Sequence, residues 1–257
     1  MLVRASLVLC ALLVLPGVAN SLPLTIAGFG DSITCNSCND GSYLSLLHNY
    51  LAPAPIIDDN GVSAARTFEV HARLVDWINA SNWADIVVIL AGTPDTYQAV
   101  GGWHNRPFTP SETVGFVRDM VILVQNAGME ALLVAPPPVL DPCGGPGVLT
   151  CATIDASLAG LSAAYAVVAT DEDVPFVDLY SIFMADPGFL LTPGAPGSPF
   201  RSDGLHPMYS TGDELIAMSI ADGILAVPIP EPSSGLLLAF GIAALAGLRS
   251  APPTQRQ

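Results

Sequence analysis

Asp85-Ile86-Val87-Val88-Ile89-Leu90 is an unbroken apolar run behind a single acid. A surface helix shows a polar residue every few positions, and a strand with one wet face alternates. A continuous run rich in β-branched residues instead fits a strand covered on both faces, the central position of a parallel sheet. Outward from it, 24–29, 129–135 and 175–179 read as further strands, and Ile56-Ile57 as a brief one ending at Asp58-Asp59-Asn60-Gly61. Pro136-Pro137-Pro138 halts the strand at 129–135. Helical patterns occupy 41–51, 63–80, 111–126, 153–169 and 210–226. Ser63 is the expected N-cap of the second, with Phe68, Val75 and Ile78 on one face, and Gly128 stops the third. Strands alternating with helices predict an α/β domain whose sheet is mostly parallel, five-stranded and helix-covered on both faces. Ligands of such sheets sit beyond the carboxyl ends of the strands, so chemistry is sought there.

Composition narrows the partners. The 257 residues carry 23 Asp and Glu against 8 Arg and no Lys, a formal charge of −15. That balance excludes nucleic-acid binding through phosphates and disfavours anionic membrane surfaces. A hydrophobic share of 51% with a mean hydropathy of +0.52 excludes disorder.

The two ends read as addresses and not as fold. Arg4, an apolar run over 7–15, and the small residues Gly17 and Ala19 describe a secretory signal peptide over 1–19. At the other end, Pro230-Glu231-Pro232 precedes an apolar stretch over 235–248 and a tail with Arg249 and Arg256. This segment, 228–257, resembles a PEP-CTERM sorting signal. The resemblance implies a Gram-negative bacterium and an exosortase-type sorting protease cutting near Glu231. It further implies transient membrane contact through the apolar stretch and delivery to the cell surface or extracellular matrix. The stretch is shorter than the roughly 20 residues of a permanent span. One domain, 20–227, remains.

Cys10 leaves with the signal peptide, so four cysteines stay: Cys35, Cys38, Cys143 and Cys151. An even count in an oxidising compartment reads as disulfides, and the local pairing 35–38 with 143–151 is expected among three possibilities. A redox dithiol or a four-cysteine zinc site are the competing readings.

Two strand ends carry reactive residue types. Gly28-Phe29-Gly30-Asp31-Ser32-Ile33-Thr34 follows the first strand, and Asp203-Gly204-Leu205-His206-Pro207 closes the last long loop. A serine on a glycine-rich strand-to-helix turn exposes its hydroxyl beside backbone N–H groups. An aspartate three residues before a histidine can hold Nδ1 while Nε2 faces the serine. Gly30-Asp31-Ser32 together with Asp203-x-x-His206 resembles the GDSL/SGNH hydrolases, esterases and lipases with a flavodoxin-like three-layer α/β/α fold. The resemblance implies Ser32 as nucleophile, His206 as general base and acid, and Asp203 as its partner, with no metal or organic cofactor. The implied substrate is a small-molecule or glycan ester.

Two further blocks match in part. Asn60-Gly61-Val62-Ser63-Ala64 places Ala64 where the family has an oxyanion-hole glycine, and its backbone N–H can still donate. Gly92-Thr93-Pro94-Asp95 places Pro94 where the family has a donating asparagine, and proline has neither an amide side chain nor an N–H. Asn105, in the Trp103-His104-Asn105-Arg106 loop that follows, is the candidate replacement donor. His48 and His71 read as surface or packing residues, and Asp171-Glu172-Asp173 as a solvated turn. The competing function is a non-catalytic carbohydrate- or matrix-binding surface protein on the same fold, with Pro94 as its mark.

Overall fold

The computed structural model describes residues 23–38, 41–97, 108–143 and 150–227. The central strand β3, Ile86–Leu90, is fully buried along its whole length. Around it lie β1 (Thr25–Gly30), β2 (Ile56–Gly61), β4 (Glu130–Ala135) and β5 (Phe176–Asp178) in the order β2-β1-β3-β4-β5. Every neighbouring pair is parallel, so the expected sheet is wholly and not mostly parallel.

Alternation along the strands sends side chains to two cores. Phe29, Val87, Ile89 and Leu133 face α2 (Thr67–Asn79), α4 (Pro110–Asn126) and α5 (Cys151–Asp171). Ile26, Ile86, Val88, Leu90 and Val134 face α1 (Tyr43–Leu46), α6 (Leu179–Ala185) and α7 (Gly212–Ala226). One short helix remains, α3 (Thr93–Tyr97). The result is the three-layer α/β/α sandwich.

Several boundaries differ from the sequence reading, each for a local reason. The helix expected from Ser63 begins at Thr67, because Ala64 takes a left-handed φ of 59° and the chain turns there. Arg66 is the cap, its N–H donating to the Glu69 carboxylate at 2.8 Å. The inner face of α2 is Val70, Leu74 and Trp77, while Phe68, Val75 and Ile78 are only partly buried. β2 continues through Asp58, Asp59 and Asn60, because Asp58 accepts the Trp77 indole N–H (2.8 Å) and Asp59 accepts the N–H groups of Asn36 and Gly61 (2.9 Å each). The helix read over 41–51 divides into α1 and a 3₁₀ turn at Leu47–Asn49. Leu179 ends no strand but opens α6, which Asp178 caps by accepting the Ser181 N–H at 3.1 Å. The cysteines pair as 35–38 and 143–151, with Cα separations of 5.4 and 5.6 Å.

At Gly30 the β1 backbone passes so close to β3 that a Cβ would meet the Leu90 carbonyl oxygen and Thr34 Oγ1. Leu90 belongs to the central strand and cannot retreat. Gly30→Ala is therefore expected to destabilise the domain by about 1–3 kcal/mol, the usual penalty of overpacking. Urea unfolding should show a lower midpoint with an unchanged slope.

Candidate active site

In this strand order the chain leaves β1 towards one edge and β3 towards the other, so their carboxyl ends mark the switch point where ligands of such sheets bind. Ser32 lies there, two residues past β1 and 8% exposed. Its turn is fastened from inside. Asp31 Oδ1 accepts the Ile33 N–H at 2.9 Å, and the Asp31 carbonyl accepts the N–H groups of Thr34 (3.2 Å) and Cys35 (3.1 Å). The Arg73 guanidinium donates to the Gly30 carbonyl at 2.9 Å.

The facing turn comes from the loop before α7. Asp203 Oδ1 accepts the N–H groups of Leu205 and His206, each at 2.9 Å, and Gly204 supplies the positive φ of 64° the turn requires. His206 Nδ1 lies 2.8 Å from Asp203 Oδ2, and Nε2 lies 2.9 Å from Ser32 Oγ. Burial raises the Asp203 carboxyl, but the bonds from the His206 ring and from the His206 and Leu205 N–H groups outweigh it and bring the pKa down to about 2. An ionised carboxylate only accepts, so Nδ1 carries the hydrogen and Nε2 is left to accept from the serine. Such a relay can raise the nucleophilicity of Ser32 and later return the proton to a leaving group.

Ala64 sits on the turn after β2. Val62 N–H donates to the Gly30 carbonyl (3.2 Å) and Ala65 N–H to the Val62 carbonyl (3.1 Å), which holds this turn beside the end of β1 that leads to Ser32. Ala64 is exposed, and its φ of 59° is the conformation a glycine would favour. Pro94 is buried in α3. The next residue, Asp95, is fully buried and accepts from Thr67 N (2.9 Å), Thr67 Oγ1 (2.5 Å) and Thr113 Oγ1 (3.5 Å). It fastens the starts of α2 and α4 together, a role the sequence reading did not assign. Asn105, with Trp103, His104 and Arg106, lies outside the described residues. His48 is exposed, and the His71 ring rests 5.8 Å from that of Phe116. Asp171 and Glu172 are not simply solvated: Arg118 pairs with both, at 2.6 and 2.7 Å.

Three acids near the relay are buried in a way the sequence does not announce. Burial pushes Asp31 up to about 7, against the Ile33 N–H and the charges of His206 and Arg73. Burial likewise raises Asp95 to about 6, against its bonds from Thr67. Asp213, in the first turn of α7 and 3% exposed, is raised by burial to about 7, against Arg201, His206 and the Tyr43 N–H. Only the Asp213-Glu214 pair at a helix start hinted at it.

A family model, the GDSL-like lipase/acylhydrolase family, matches residues 29–209, which include both the Ser32 turn and the Asp203–His206 turn. The chain belongs to that family. It is accordingly a GDSL-type hydrolase acting on ester bonds, with the family's α/β fold. Among solved structures, a lipase/acylhydrolase from Enterococcus faecalis shares 20% identity at a TM-score of 0.62, covering 78% of this chain and 95% of its own. A catalytic mutant of an acetylxylan esterase from Geobacillus stearothermophilus shares 16% at 0.61, covering 78% and 94%. An alpha/beta hydrolase from the metagenome of Lake Arreo, Spain, shares 18% at 0.61 with the same coverage. A comparison with curated proteins gives no match.

The acids fix a pH dependence. Asp31, Asp95 and Asp213 titrate higher in the folded chain (about 7, 6 and 7) than their ordinary 3.8, so between about pH 4 and pH 7 the folded state holds protons the unfolded state has lost. Stability therefore falls as pH rises through that window. Asp203 acts oppositely: its contribution is present above 3.8 and is lost as pH falls towards about 2. Calorimetry should place the highest Tm near about pH 4–5, several degrees above that at pH 7.5, and Asp213→Asn should flatten the decline.

Proposed function

We propose that the protein is an exported serine esterase that hydrolyses carboxylic esters through an acyl-enzyme on Ser32, acting on an acylated extracellular polysaccharide or lipid. The observation that carries this reading is the unbroken line from Ser32 Oγ through the His206 ring to Asp203, at 2.9 and 2.8 Å. Ser32 attacks the ester carbonyl while His206 takes its proton, and Asp203 holds the imidazolium that results. His206 then protonates the departing alcohol, and water repeats the sequence to release the acid. The N–H groups of Ser32 and Ala64 stabilise the oxyanion. Export is supported by the ends of the chain and by two local disulfides. The acetylxylan esterase activity named for one structural relative suits a glycan ester.

A weakened or non-catalytic glycan binder is the second reading, and Pro94 is what favours it. Loss of one oxyanion donor costs about 10²–10³ in kcat. Asn105 has the amide that Pro94 lacks and is proposed as the third donor.

The test is turnover of p-nitrophenyl esters and acetylated glycans by the wild type and by Ser32→Ala. Wild-type activity that falls to background in Ser32→Ala is expected; no turnover by either protein on any substrate would favour the binder. Asn105→Ala should lower kcat by about 10–10³-fold with little change in KM, and Pro94→Asn should restore part of that loss. A silent Asn105→Ala beside a Pro94→Asn that alone raises kcat tenfold would show that the third donor is simply missing.

A further inference from the structure

Both disulfides lie at the carboxyl end of the sheet, one against each half of the Ser32–His206 pair. Cys35 follows Ser32 by three residues, and its N–H closes the nucleophile turn on the Asp31 carbonyl at 3.1 Å. The residue between the two cysteines nearest that turn is anchored as well. Asn36 N–H donates to Asp59 at 2.9 Å, and the Asn36 side chain accepts from Ser42 N (3.1 Å) and Oγ (2.6 Å). Gly61 packs so closely that a Cβ there would meet the Cys35 backbone nitrogen. Cys35 is buried and Cys38 exposed, so the bond ties the end of the turn to the surface.

The second disulfide closes the loop from β4 onto the first residue of α5. That loop is the seat of the other turn. Leu140 N–H donates to the Gly204 carbonyl at 2.8 Å. A Cβ on Gly204 would strike the carbonyl oxygens of Leu140 and Pro142, so the segment ending at Cys143 is in backbone contact with the turn that carries Asp203 and His206.

Neither bond is suited to holding the whole domain together. The cysteines are separated by only 3 and 8 residues, and the chain entropy a cross-link removes is smallest for short loops. A domain of this length with two apolar cores does not depend on such staples. What short cross-links do well is limit local movement, and a displacement of about 1 Å in a reacting group can cost roughly 10²-fold in rate.

We propose that the two disulfides are positioning elements of the Ser32–His206 pair, so that esterase activity requires both to be oxidised. This rests on the reading of Ser32 as nucleophile and His206 as base. Reduction by a dithiol such as dithiothreitol converts each protein disulfide into two thiols and the reductant into its cyclic disulfide. Oxidised glutathione reverses the step, leaving reduced glutathione.

The experiment compares the oxidised full chain, the chain reduced without denaturant, and two variants, Cys35→Ser/Cys38→Ser and Cys143→Ala/Cys151→Ala. Each is measured for kcat and KM on p-nitrophenyl acetate, for its rate of labelling by a fluorophosphonate, and for Tm and circular dichroism. Reduction and each variant should lower kcat and the labelling rate by roughly 10–100-fold. KM should stay nearly constant, Tm should move by only a few degrees, and reoxidation of the reduced wild type should restore the rate. Unchanged kcat in the reduced protein or in either variant would overturn the proposal. So would activity lost only in step with the folded signal, which marks a general structural role. An oxidised wild type inert to the fluorophosphonate would instead sink the reading of Ser32 as nucleophile, and this inference with it.

Discussion

The hydrogen bond between His206 Nε2 and Ser32 Oγ joins residues 174 positions apart. Nothing local can enforce it, so the rest of the molecule has to. On the serine side the task falls to β1, locked between β2 and β3 in the middle of the sheet. On the histidine side it falls to a loop with little regular structure. That loop is pinned by Arg201, whose N–H donates to the His206 carbonyl (2.9 Å) and whose Nε–H donates to that of Pro207 (3.0 Å). Phe200, fully buried against Phe183 with ring centroids 5.3 Å apart, sinks its base into the core.

Order at the catalytic end comes at an electrostatic cost. Asp31, Asp95 and Asp213 lose hydration, and each keeps a structural task in return: closing a turn, joining two helices, and linking the starts of α1 and α7. Burial, and not the net charge of −15, is the first cause of their shared resistance to ionisation.

The fold was legible because the strands are apolar on both faces: the run at 86–90 has one sensible position, and the rest follows from its neighbours. The Ser32, Asp203 and His206 cluster was legible because its residues stand at strand and loop ends in a recognisable order. What stayed hidden was decided by side chains meeting across the fold. No pattern in Asp58-Asp59-Asn60 announces a strand, since Trp77, Asn36 and Gly61 supply the bonds that keep it there. Ser63 is a good capping type, but the left-handed Ala64 prevents a helix from starting there, so α2 begins later than the local pattern suggests. Asp95 reads locally as part of a site motif, and only its bonds to Thr67 and Thr113 reveal a fastener.

Among the described residues, β2 and β5 are the outer strands, and the two differ in how they meet the solvent. An outer strand offers unpaired backbone groups to any passing chain, which is a route to aggregation. β5 is only three residues long, too short to template a lasting ladder. β2 is twice that length and opens with the exposed Ile56, but it then carries Asp58 and Asp59 in succession. A second copy pairing there would have to bring like charges together and strip water from them. The acids that lengthen β2 through their internal bonds thus also give an apolar-rich chain its colloidal protection, at the flank where a neighbour could most easily extend the sheet.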